Sequence, residues 1–251
     1  MPVSVSVLIY TYNSDSHIAE CIESAKLLSD DIVVVDQKSS DATQSIAKKA
    51  GATIVTVPHH IYVEPIRMDG IKKATGDWIF ILDADERMTQ ELADVVKATI
   101  EKPEFTSYKV PRKNIFARKV WLKNGGWYPD EQTRLIKLSA IKDWPKKIHA
   151  TPVIDGKQSN LTEPMLHYFH GDITGMVNKT GVFEQIESGL LYDANRASST
   201  PIFFRKFLGE LFRRLIKKAG WKDGMTGIIE SYYQAYSKTI TYLFLYEKQK
   251  A

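Results

Sequence analysis

The sequence contains a single cysteine, Cys21, among its 251 residues. One thiol per chain excludes an internal disulfide framework and a cysteine-based metal site, and it is typical of a reducing compartment. No run reaches about 18 uninterrupted apolar residues, so we expect no membrane-spanning helix. The first residues, MPVSVSVLIYTYN, lack the charged segment and the cleavage site of a signal peptide. We therefore expect a cytoplasmic protein, either soluble or peripheral on a membrane.

Composition indicates an ordinary globular protein, with 43% hydrophobic, 11% aromatic and 25% charged residues. The length suits one large α/β domain or two small ones. The net charge of +4 is unevenly distributed, because residues 203–251 contain ten basic and four acidic side chains. The basic character therefore belongs to the C-terminal region, and residues 1–202 carry a net charge of −2.

Strand-like and helix-like segments alternate over the first hundred residues. The predicted strands are Val3–Tyr10, Ile32–Val35, Thr53–Val57 and Asp77–Leu82. The predicted helices are Asp15–Leu28, a helix that starts at an Asp41/Gln44 capping box and stops at Gly51, a helix from Pro65 to Gly76, and Thr89–Glu101. This alternation predicts a mostly parallel central sheet with right-handed crossovers.

Beyond Pro103 the pattern favours antiparallel strands. They are Thr106–Pro111, Phe116–Lys123, Thr133–Leu138, and a hairpin of Thr151–Ile154 and Lys157–Asn160 around Asp155-Gly156. Because no Ser/Gly/Pro-rich linker interrupts the chain, we predict one domain over residues 1–173, with halves 1–102 and 103–173. A helical region over residues 174–251 follows.

Three polar clusters follow predicted strands of the parallel sheet, at 10–13, 36–41 and 83–85. The carboxyl ends of parallel strands share one edge, where ligands bind in such folds. Asp83 and Asp85, spaced one residue apart at a strand end, could hold Mg²⁺ or Mn²⁺ that bridges to substrate phosphates. The alternative is that these two aspartates solvate a loop or cap the next helix. The strand before them and the shared edge favour the metal interpretation.

Several segments resemble a known enzyme family. VSVLIYTYN (5–13), DIVVVDQKSSDAT (31–43), the run from Arg67 to Gly76 and GDWIFILDADE (76–86) are similar to the nucleotide-binding half of the family 2 glycosyltransferases, which have the GT-A fold. GGWYPDEQTRLIK (125–137), IHATPVIDGK (148–157), the His167-Tyr168 pair and GWKDGMTG (220–227) resemble the subgroup that adds glucose to the heptose of the lipopolysaccharide inner core.

The resemblance implies a GT-A Rossmann-like α/β fold with a nucleotide-sugar half (1–102), an acceptor half (103–173) and a helical C-terminal region. It makes Asp83 and Asp85 the DxD motif, which binds the donor through a divalent metal. Asp36 is then expected to accept a hydrogen bond from uracil, Thr11 and Tyr12 to line the base, and Arg67 to support the ribose or diphosphate. The alternative for Asp36 is a turn residue that bonds its own backbone.

Histidines and aromatic residues in the second half receive roles by the same resemblance. None of the six histidines shows a metalloprotease spacing, but His167 best matches the family histidine that reaches the metal or diphosphate. His149 is the second histidine candidate and, with Trp127 and Tyr128, is assigned to the acceptor. The aromatic rings could flank a sugar.

Asp130 is the candidate catalytic base. An inverting transfer needs a group that takes the proton of the acceptor hydroxyl, and in the family this loop carries the catalytic acidic residue. Glu131 is adjacent and is the alternative base. The remaining interpretation is that Asp130 is an acid in a solvated turn.

Taken together, these motifs predict an inverting, metal-dependent (Mn²⁺ or Mg²⁺) glycosyltransferase that moves glucose from UDP-glucose to a glycolipid or lipopolysaccharide core sugar. The alternatives are an inactive nucleotide-sugar-binding protein of the same fold and a phosphoryl-transfer enzyme. Gln37, Met68 and Ala150 replace residues that are frequent in the family or subgroup, an aspartate, an asparagine and a glutamate respectively. These departures concern donor-base and acceptor contacts more than the reaction.

The segment Ile202–Gly220 is amphipathic and basic. Its large apolar residues are predicted on one helical face: Phe204, Phe207, Leu208, Leu211, Phe212, Leu215 and Ile216. Such a face either packs internally or lies in an anionic membrane surface, here the inner face of the cytoplasmic membrane. No nucleic-acid-binding module is recognisable.

Overall fold

The structure is a computed structural model that describes residues 3–170 and 173–250. These residues form two compact units. The first unit comprises the chain up to Arg112 together with Glu131–His167, and the second comprises Lys113–Asp130 and the chain from Tyr168 onward. Compactness alone does not define a functional domain, so domains 1–173 and 174–251 stay a prediction.

Strands and helices alternate through the first hundred residues, as predicted. They are β1 (Val5–Thr11), α1 (Asp15–Ala25), β2 (Ile32–Asp36), α2 (Thr43–Lys49), β3 (Thr53–Thr56), α3 (Arg67–Ile71), β4 (Trp78–Asp83), β5 (Glu86–Arg87) and α4 (Gln90–Glu101). Four strands run parallel in the order β3-β2-β1-β4. β1, β2 and β4 are buried along almost their whole length, which explains their nearly continuous apolar sequences.

Antiparallel strands extend this sheet beyond β4. The later strands are β6 (Ser107–Phe116), β7 (Val120–Trp121), β8 (Asp130–Lys137), β9 (Ile141–Asp143), β10 (Val153–Ile154), β11 (Gln158–Asn160) and β12 (Met165–His170). β8 pairs antiparallel with β4, and the sheet continues through β6, β12 and β5. A mostly parallel half with antiparallel additions confirms the predicted α/β class.

Apolar cores cover both faces of the sheet in the first unit. One core joins β1 residues such as Val7 to α1, α2 and α4. The other joins Leu8 and Tyr10 of β1 to α3 and Trp144. Successive side chains of a strand point to opposite faces, so a strand between two cores presents neither face to water. Its polar side chains reach solvent or a ligand at the end of the strand.

Several local predictions are wrong. The strand predicted over Phe116–Lys123 does not form as one strand, because β6 ends at Phe116 and a turn at 117–119 precedes the short β7. The strands 153–154 and 158–160 do not form a hairpin, because β10 pairs with β9 whereas β11 pairs in parallel with β6. The hydroxyl of Thr106 donates to the carbonyl of Asp155, and its backbone N–H donates to the carbonyl of Lys157, so this turn is held beside β6. Helix α3 ends at Ile71, so Gly76 does not end it; Gly76 instead lies against β1, where a Cβ would be 2.6 Å from the backbone nitrogen of Ser6.

The second unit is mainly helical. It contains α5 (Ile173–Asp193), α6 (Thr200–Leu211), a π-helical stretch (Phe212–Lys217), a short 3₁₀ turn (Gly220–Asp223) and α7 (Gly224–Lys250). The loop after β7 and the end of β6 also belong to this unit. Across the described ranges, no helix combines the length and the hydropathy needed to span a bilayer.

Candidate active site

Strand β4 delivers Asp83 to the carboxyl edge of the sheet, where its carboxylate lies between two arginines. Nη2 of Arg67 is 3.1 Å from Oδ1, and Nη2 of Arg134 is 2.8 Å from Oδ2. Burial by itself raises the pKa of the Asp83 carboxyl, but Arg134 and Arg67 outweigh burial and hold this pKa well below its usual range. Asp83 is therefore ionised at neutral pH and forms ion pairs with both arginines.

Arg134 connects Asp83 to a second buried acid that the sequence analysis missed. Its Nη2 lies 2.5 Å from Oε1 of Glu86, which is completely buried. Glu86 also accepts the backbone N–H of Asp83 at 2.9 Å, and Nη1 of Arg112 is 3.5 Å from its Oε1. This ion network fixes the position of the aspartates after β4. Glu86 and Arg134 lie within the segments 76–86 and 125–137, whose resemblance to the family was the only sequence signal for them.

Asp85 lies near His167 of β12, with 3.7 Å between Oδ2 and Nε2. Among the residues that the structure describes, no three His, Cys, Asp or Glu side chains form a metal-binding group. Mg²⁺ is commonly held by only one or two protein carboxylates together with substrate phosphates and water. The carboxylate of Asp85 and the imidazole of His167 therefore fit a divalent ion that is shared with a phosphate ligand. Asp83 differs from them, because both of its carboxylate oxygens are bonded to arginines.

The predicted base-binding residues lie at the ends of β1 and β2. Thr11 is in register with Asp36, and its buried hydroxyl has no hydrogen-bond partner among the described residues. Tyr12 follows directly and stacks on His59, with ring centroids 4.0 Å apart. The Tyr12–His59 pair offers an exposed aromatic surface, and the sequence analysis missed His59 because stacking depends on tertiary contact.

Asp36 is fully buried, and its carboxylate already accepts several hydrogen bonds. The backbone N–H of Ser39 donates at 2.9 Å and the Gln44 amide at 2.5 Å, while the Ser39 hydroxyl donates to the other oxygen. The predicted capping box is thus wrong, because Gln44 bonds Asp36 and Ala42 occupies the cap position. This arrangement is the turn alternative considered for Asp36, so its contact with uracil stays a prediction.

Asp130 belongs to the second unit and is held by a buried amide. Nδ2 of Asn114 donates to Oδ2 of Asp130 at 3.1 Å and to the carbonyl of Trp127 at 2.9 Å. The loop before it turns through Gly125 and Gly126, with φ of 68° and 86°. Glycine adopts this left-handed region without the steric cost of a Cβ. The two glycines therefore allow the turn that leads to Asp130.

The C-terminal segment anchors the same loop within the second unit. The carboxylate of Asp223 accepts the backbone N–H groups of Lys123 and Asn124 at 2.8 and 2.7 Å, and the Asn124 amide at 2.6 Å. Arg214 donates to the carbonyl of Gly125 at 3.2 Å. No local sequence pattern indicates this role of Asp223, because its partners lie about a hundred residues earlier.

The remaining predicted residues are distributed over both units. In the second unit, Trp127 packs on Phe169 with ring centroids 4.7 Å apart, and Tyr128 contacts Trp121 edge-on at 5.5 Å. In the first unit, His149 is exposed. Glu131, the alternative base, is also exposed and accepts the amide of Asn160 at 2.7 Å.

Comparisons with known proteins agree with this architecture. A family model described as "Glycosyl transferase family 2" matches residues 6–156. An uncharacterized glycosyltransferase of Rickettsia conorii is 23% identical over 247 residues, which cover 93% of this chain and 86% of the relative. Another from Rickettsia typhi is 33% identical over 109 residues, or 42% of this chain. That alignment spans 37% of the relative's own length.

Solved structures share the fold at low identity. TarS of S. aureus, solved with UDP-GlcNAc, gives a TM-score of 0.52 at 14% identity, covering 98% of this chain and 91% of TarS. The mannosyltransferase PcManGT of Pyrobaculum calidifontis gives 0.55 at 16% identity, covering 99% of this chain and 87% of PcManGT. The family model accounts for more than half of the residues, and the sheet carries the expected GT-A arrangement. The chain belongs to the family 2 glycosyltransferases.

Proposed function

We propose that this glycosyltransferase moves glucose from UDP-glucose, with inversion, to a sugar of a glycolipid or of the lipopolysaccharide core. The observation that carries the proposal is the edge of the sheet where Asp85 and His167 lie beside the ion-paired Asp83. PcManGT was solved with GDP-Man and Mn²⁺, and TarS with UDP-GlcNAc, which supports a nucleotide-sugar donor. Glucose and the lipopolysaccharide acceptor rest on the motif resemblance.

The donor side is assigned to the first unit. Thr11, Tyr12 and Asp36 receive the nucleoside, and Arg67 provides a fixed positive charge toward the ribose or diphosphate. Asp85 and His167, with Asp83 beside them, would hold Mn²⁺ or Mg²⁺, which supplies neutralisation of the charge on the departing diphosphate.

The acceptor side is assigned to Asp130, with Trp127, Tyr128 and His149 as acceptor contacts. The acceptor oxygen forms its bond to the anomeric carbon while the bond to UDP breaks, and the hydroxyl proton passes to Asp130. The amide of Asn114 fixes the orientation of this carboxylate by donating to Oδ2. An oriented carboxylate next to aromatic rings suits a base that must meet a sugar hydroxyl.

The donor assignment predicts metal-dependent stabilisation by UDP-glucose. A thermal-shift panel of UDP-, GDP- and dTDP-glucose, with and without Mn²⁺, should give the largest effect for UDP-glucose with the ion. At a hundred times its dissociation constant, the ligand adds about 2.7 kcal/mol to the free energy of unfolding. Asp85→Ala should remove the ion-dependent part, whereas Asp94→Ala, an exposed acid on α4, should not.

Failure of all three nucleotides to stabilise the protein would contradict the donor assignment. Stabilisation by UDP-glucose with no transfer to any lipopolysaccharide acceptor would instead favour the nucleotide-sugar-binding alternative. The phosphoryl-transfer alternative predicts a phosphorylated aspartate, which intact-mass measurement after incubation with a phosphoryl donor would detect.

We also assign membrane contact to an exposed apolar stripe in the second unit. Its members recur every four residues, and their exposed fractions are 64%, 58%, 60% and 54%: Phe204, Leu208, Phe212 and Ile216. The predicted single face is in fact divided, because Phe207 packs against Tyr232 with ring centroids 5.7 Å apart. Internal packing therefore accounts for only part of the apolar face.

Charge favours an anionic membrane as the partner of this stripe. Basic side chains flank it, namely Arg205, Lys206, Arg213 and Lys217. Beside it, α6 and α7 enclose an apolar groove of about 490 Å³, lined in part by Phe203, Phe204 and Leu243. Large apolar residues with neighbouring bases are typical of helices that lie in the headgroup region of anionic bilayers.

Binding to lipid vesicles tests this assignment. We expect sedimentation with phosphatidylcholine vesicles that contain phosphatidylglycerol, and weaker binding without the anionic lipid or at high salt. The double variant Phe204→Ser/Leu208→Ser should reduce the partition coefficient at least about tenfold, because two large side chains no longer enter the bilayer. Ile61→Ser, at an exposed apolar position in the first unit, should not change it. Equal binding of the double variant would contradict the assignment.

A further inference from the structure

The first unit contains a cavity of about 230 Å³ beside Asp83. Its lining is mostly polar and comes from α3 and its preceding turn, from β6 and β8, and from the loop before β10. The lining includes Arg67, Arg112, Arg134 and Ala150. The proposed reaction uses Arg67 and Asp83 of this lining toward the donor and His149 toward the acceptor, and it gives Arg112 and Arg134 no ligand.

The arginines around the cavity have more N–H donors than the neighbouring carboxylates accept. Three arginines and two carboxylates, Glu64 and Asp83, line it, and the buried Glu86 behind the lining pairs with Arg134 and Arg112. Each guanidinium has five N–H donors, so these acids do not accept all of them. Arg67 is only 7% exposed, and its Nε and Nη1 have no hydrogen-bond partner among the described residues. Nε of Arg134 is in the same situation. Buried donors without acceptors are costly, and an anionic oxygen is the strongest acceptor that a guanidinium can find.

Ala150 increases this imbalance. Its methyl group lines the cavity and supplies no acceptor, while its backbone carbonyl is used by the indole N–H of Trp144 at 3.0 Å. A carboxylate at this position would give the arginines an internal partner. With alanine there, no further internal acceptor is present among the described residues for the unpartnered donors of Arg67 and Arg134.

The strand order separates this cavity from the predicted nucleoside site. In the order β3-β2-β1-β4-β8-β6, Thr11 and Asp36 end β1 and β2, on one side of β4. Arg134 on β8 and Arg112 on β6 lie on the other side. Asp83, at the end of β4, stands between them. A ligand in the cavity therefore lies on the side of β4 opposite the predicted site of the uracil base.

We propose that this cavity binds a carboxylate or phosphate group of the acceptor, so that the enzyme selects acceptor sugars that carry a negative charge. The proposal rests on the proposed function, because that function places the nucleoside at Thr11 and Asp36. It adds a subsite and a substrate class, since an anionic oxygen is a stronger acceptor for the donors of Arg67 and Arg134 than the hydroxyl oxygen of a neutral sugar.

Calorimetric titration with glucose 6-phosphate, glucuronate and glucose tests the proposal. Each sugar is titrated into the protein alone and into protein saturated with UDP and Mn²⁺. We expect both anionic sugars to bind at least about tenfold more tightly than glucose in both states, since hydrogen bonds to charged groups contribute roughly 1.5–3 kcal/mol. Preference for one of the two shows whether phosphate or carboxylate is the natural group.

Two variants at one position provide the matched comparison. Ala150→Glu should reduce the affinity for glucose 6-phosphate at least about tenfold, because its carboxylate pairs with the arginines. Ala150→Gln has the same size and no charge, so we expect a change of about threefold or less. Arg112→Gln, with folding checked by circular dichroism, should also weaken binding about tenfold and serves if Ala150→Glu does not fold.

Three results would overturn the proposal. They are equal affinity for glucose and its anionic analogues, unchanged affinity in Ala150→Glu, and loss of glucose 6-phosphate binding when UDP and Mn²⁺ are present. The last result would mean that the cavity holds the donor diphosphate. UDP binding is measured separately, so absence of UDP binding with intact binding of anionic sugars would count against the proposed donor and leave the cavity assignment standing.

Discussion

Asp130→Asn is expected to lower kcat by about a hundredfold to ten-thousandfold, with UDP-glucose binding unchanged. Asparagine keeps the size of the side chain and an oxygen that can accept the Asn114 amide, so the loop should retain its geometry. It cannot accept the proton of an acceptor hydroxyl, and a positioned general base contributes about 10² to 10⁴ in rate. Release of UDP in the presence of a lipopolysaccharide inner-core acceptor measures the effect.

Glu131→Gln is the matched control for Asp130→Asn. Glu131 is exposed and bonds Asn160, so its replacement should change kcat less than about threefold if Asp130 is the base. The reverse pattern, with Glu131→Gln inactive and Asp130→Asn active, would transfer the role of base to Glu131. Wild-type activity of both variants would show that neither Asp130 nor Glu131 is the general base.

Arg134→Met is expected to lower the free energy of unfolding by about 3–5 kcal/mol at pH 7. Arg134 contacts Asp83 and the completely buried Glu86, and removal of one partner of a buried ion pair leaves an uncompensated charge. Urea denaturation gives the value directly. Lys26→Met is the control in the same unit, because Lys26 forms an exposed pair with Glu23, and such pairs contribute about 0–1 kcal/mol.

The loss caused by Arg134→Met should become smaller in acid. The pKa of Asp83 is held well below its usual range in the folded protein, opposite to the effect of burial, by Arg134 and Arg67. Its stabilisation is therefore present above the unfolded pKa of about 3.9 and is lost as pH falls through the folded pKa. A loss for Arg134→Met no larger than that for Lys26→Met at pH 7 would contradict the structural role of this network.

The sequence predicted the parallel half of the fold well because its signals are local. Each buried strand is a short apolar run, and the polar residues that follow β1, β2 and β4 reach one edge by the geometry of parallel sheets. The partners of those residues could not be predicted in the same way. Arg134 meets Asp83 across 51 residues of chain, and no periodic pattern encodes that contact.

Prediction failed where tertiary contacts overrule a local preference. The Asp155-Gly156 turn looks like the centre of a hairpin, yet Thr106 holds it beside β6 and the two flanking strands take different partners. The apolar face of α6 is continuous in the sequence, but only some of its residues meet α7, which no helical period distinguishes. In both cases the local element forms, but the segment that it packs against lies far away in the sequence.

The hydrogen bonds of Asp223 tie the loop before Asp130 to a part of the chain that is synthesised later. The loop that leads to Asp130 is held by a side chain that is synthesised 99 and 100 positions after its partners. At about 5–20 residues per second, that interval lasts roughly 5–20 seconds. During that interval the loop lacks the three hydrogen bonds that Asp223 accepts, so its final conformation can form only after translation has passed Asp223.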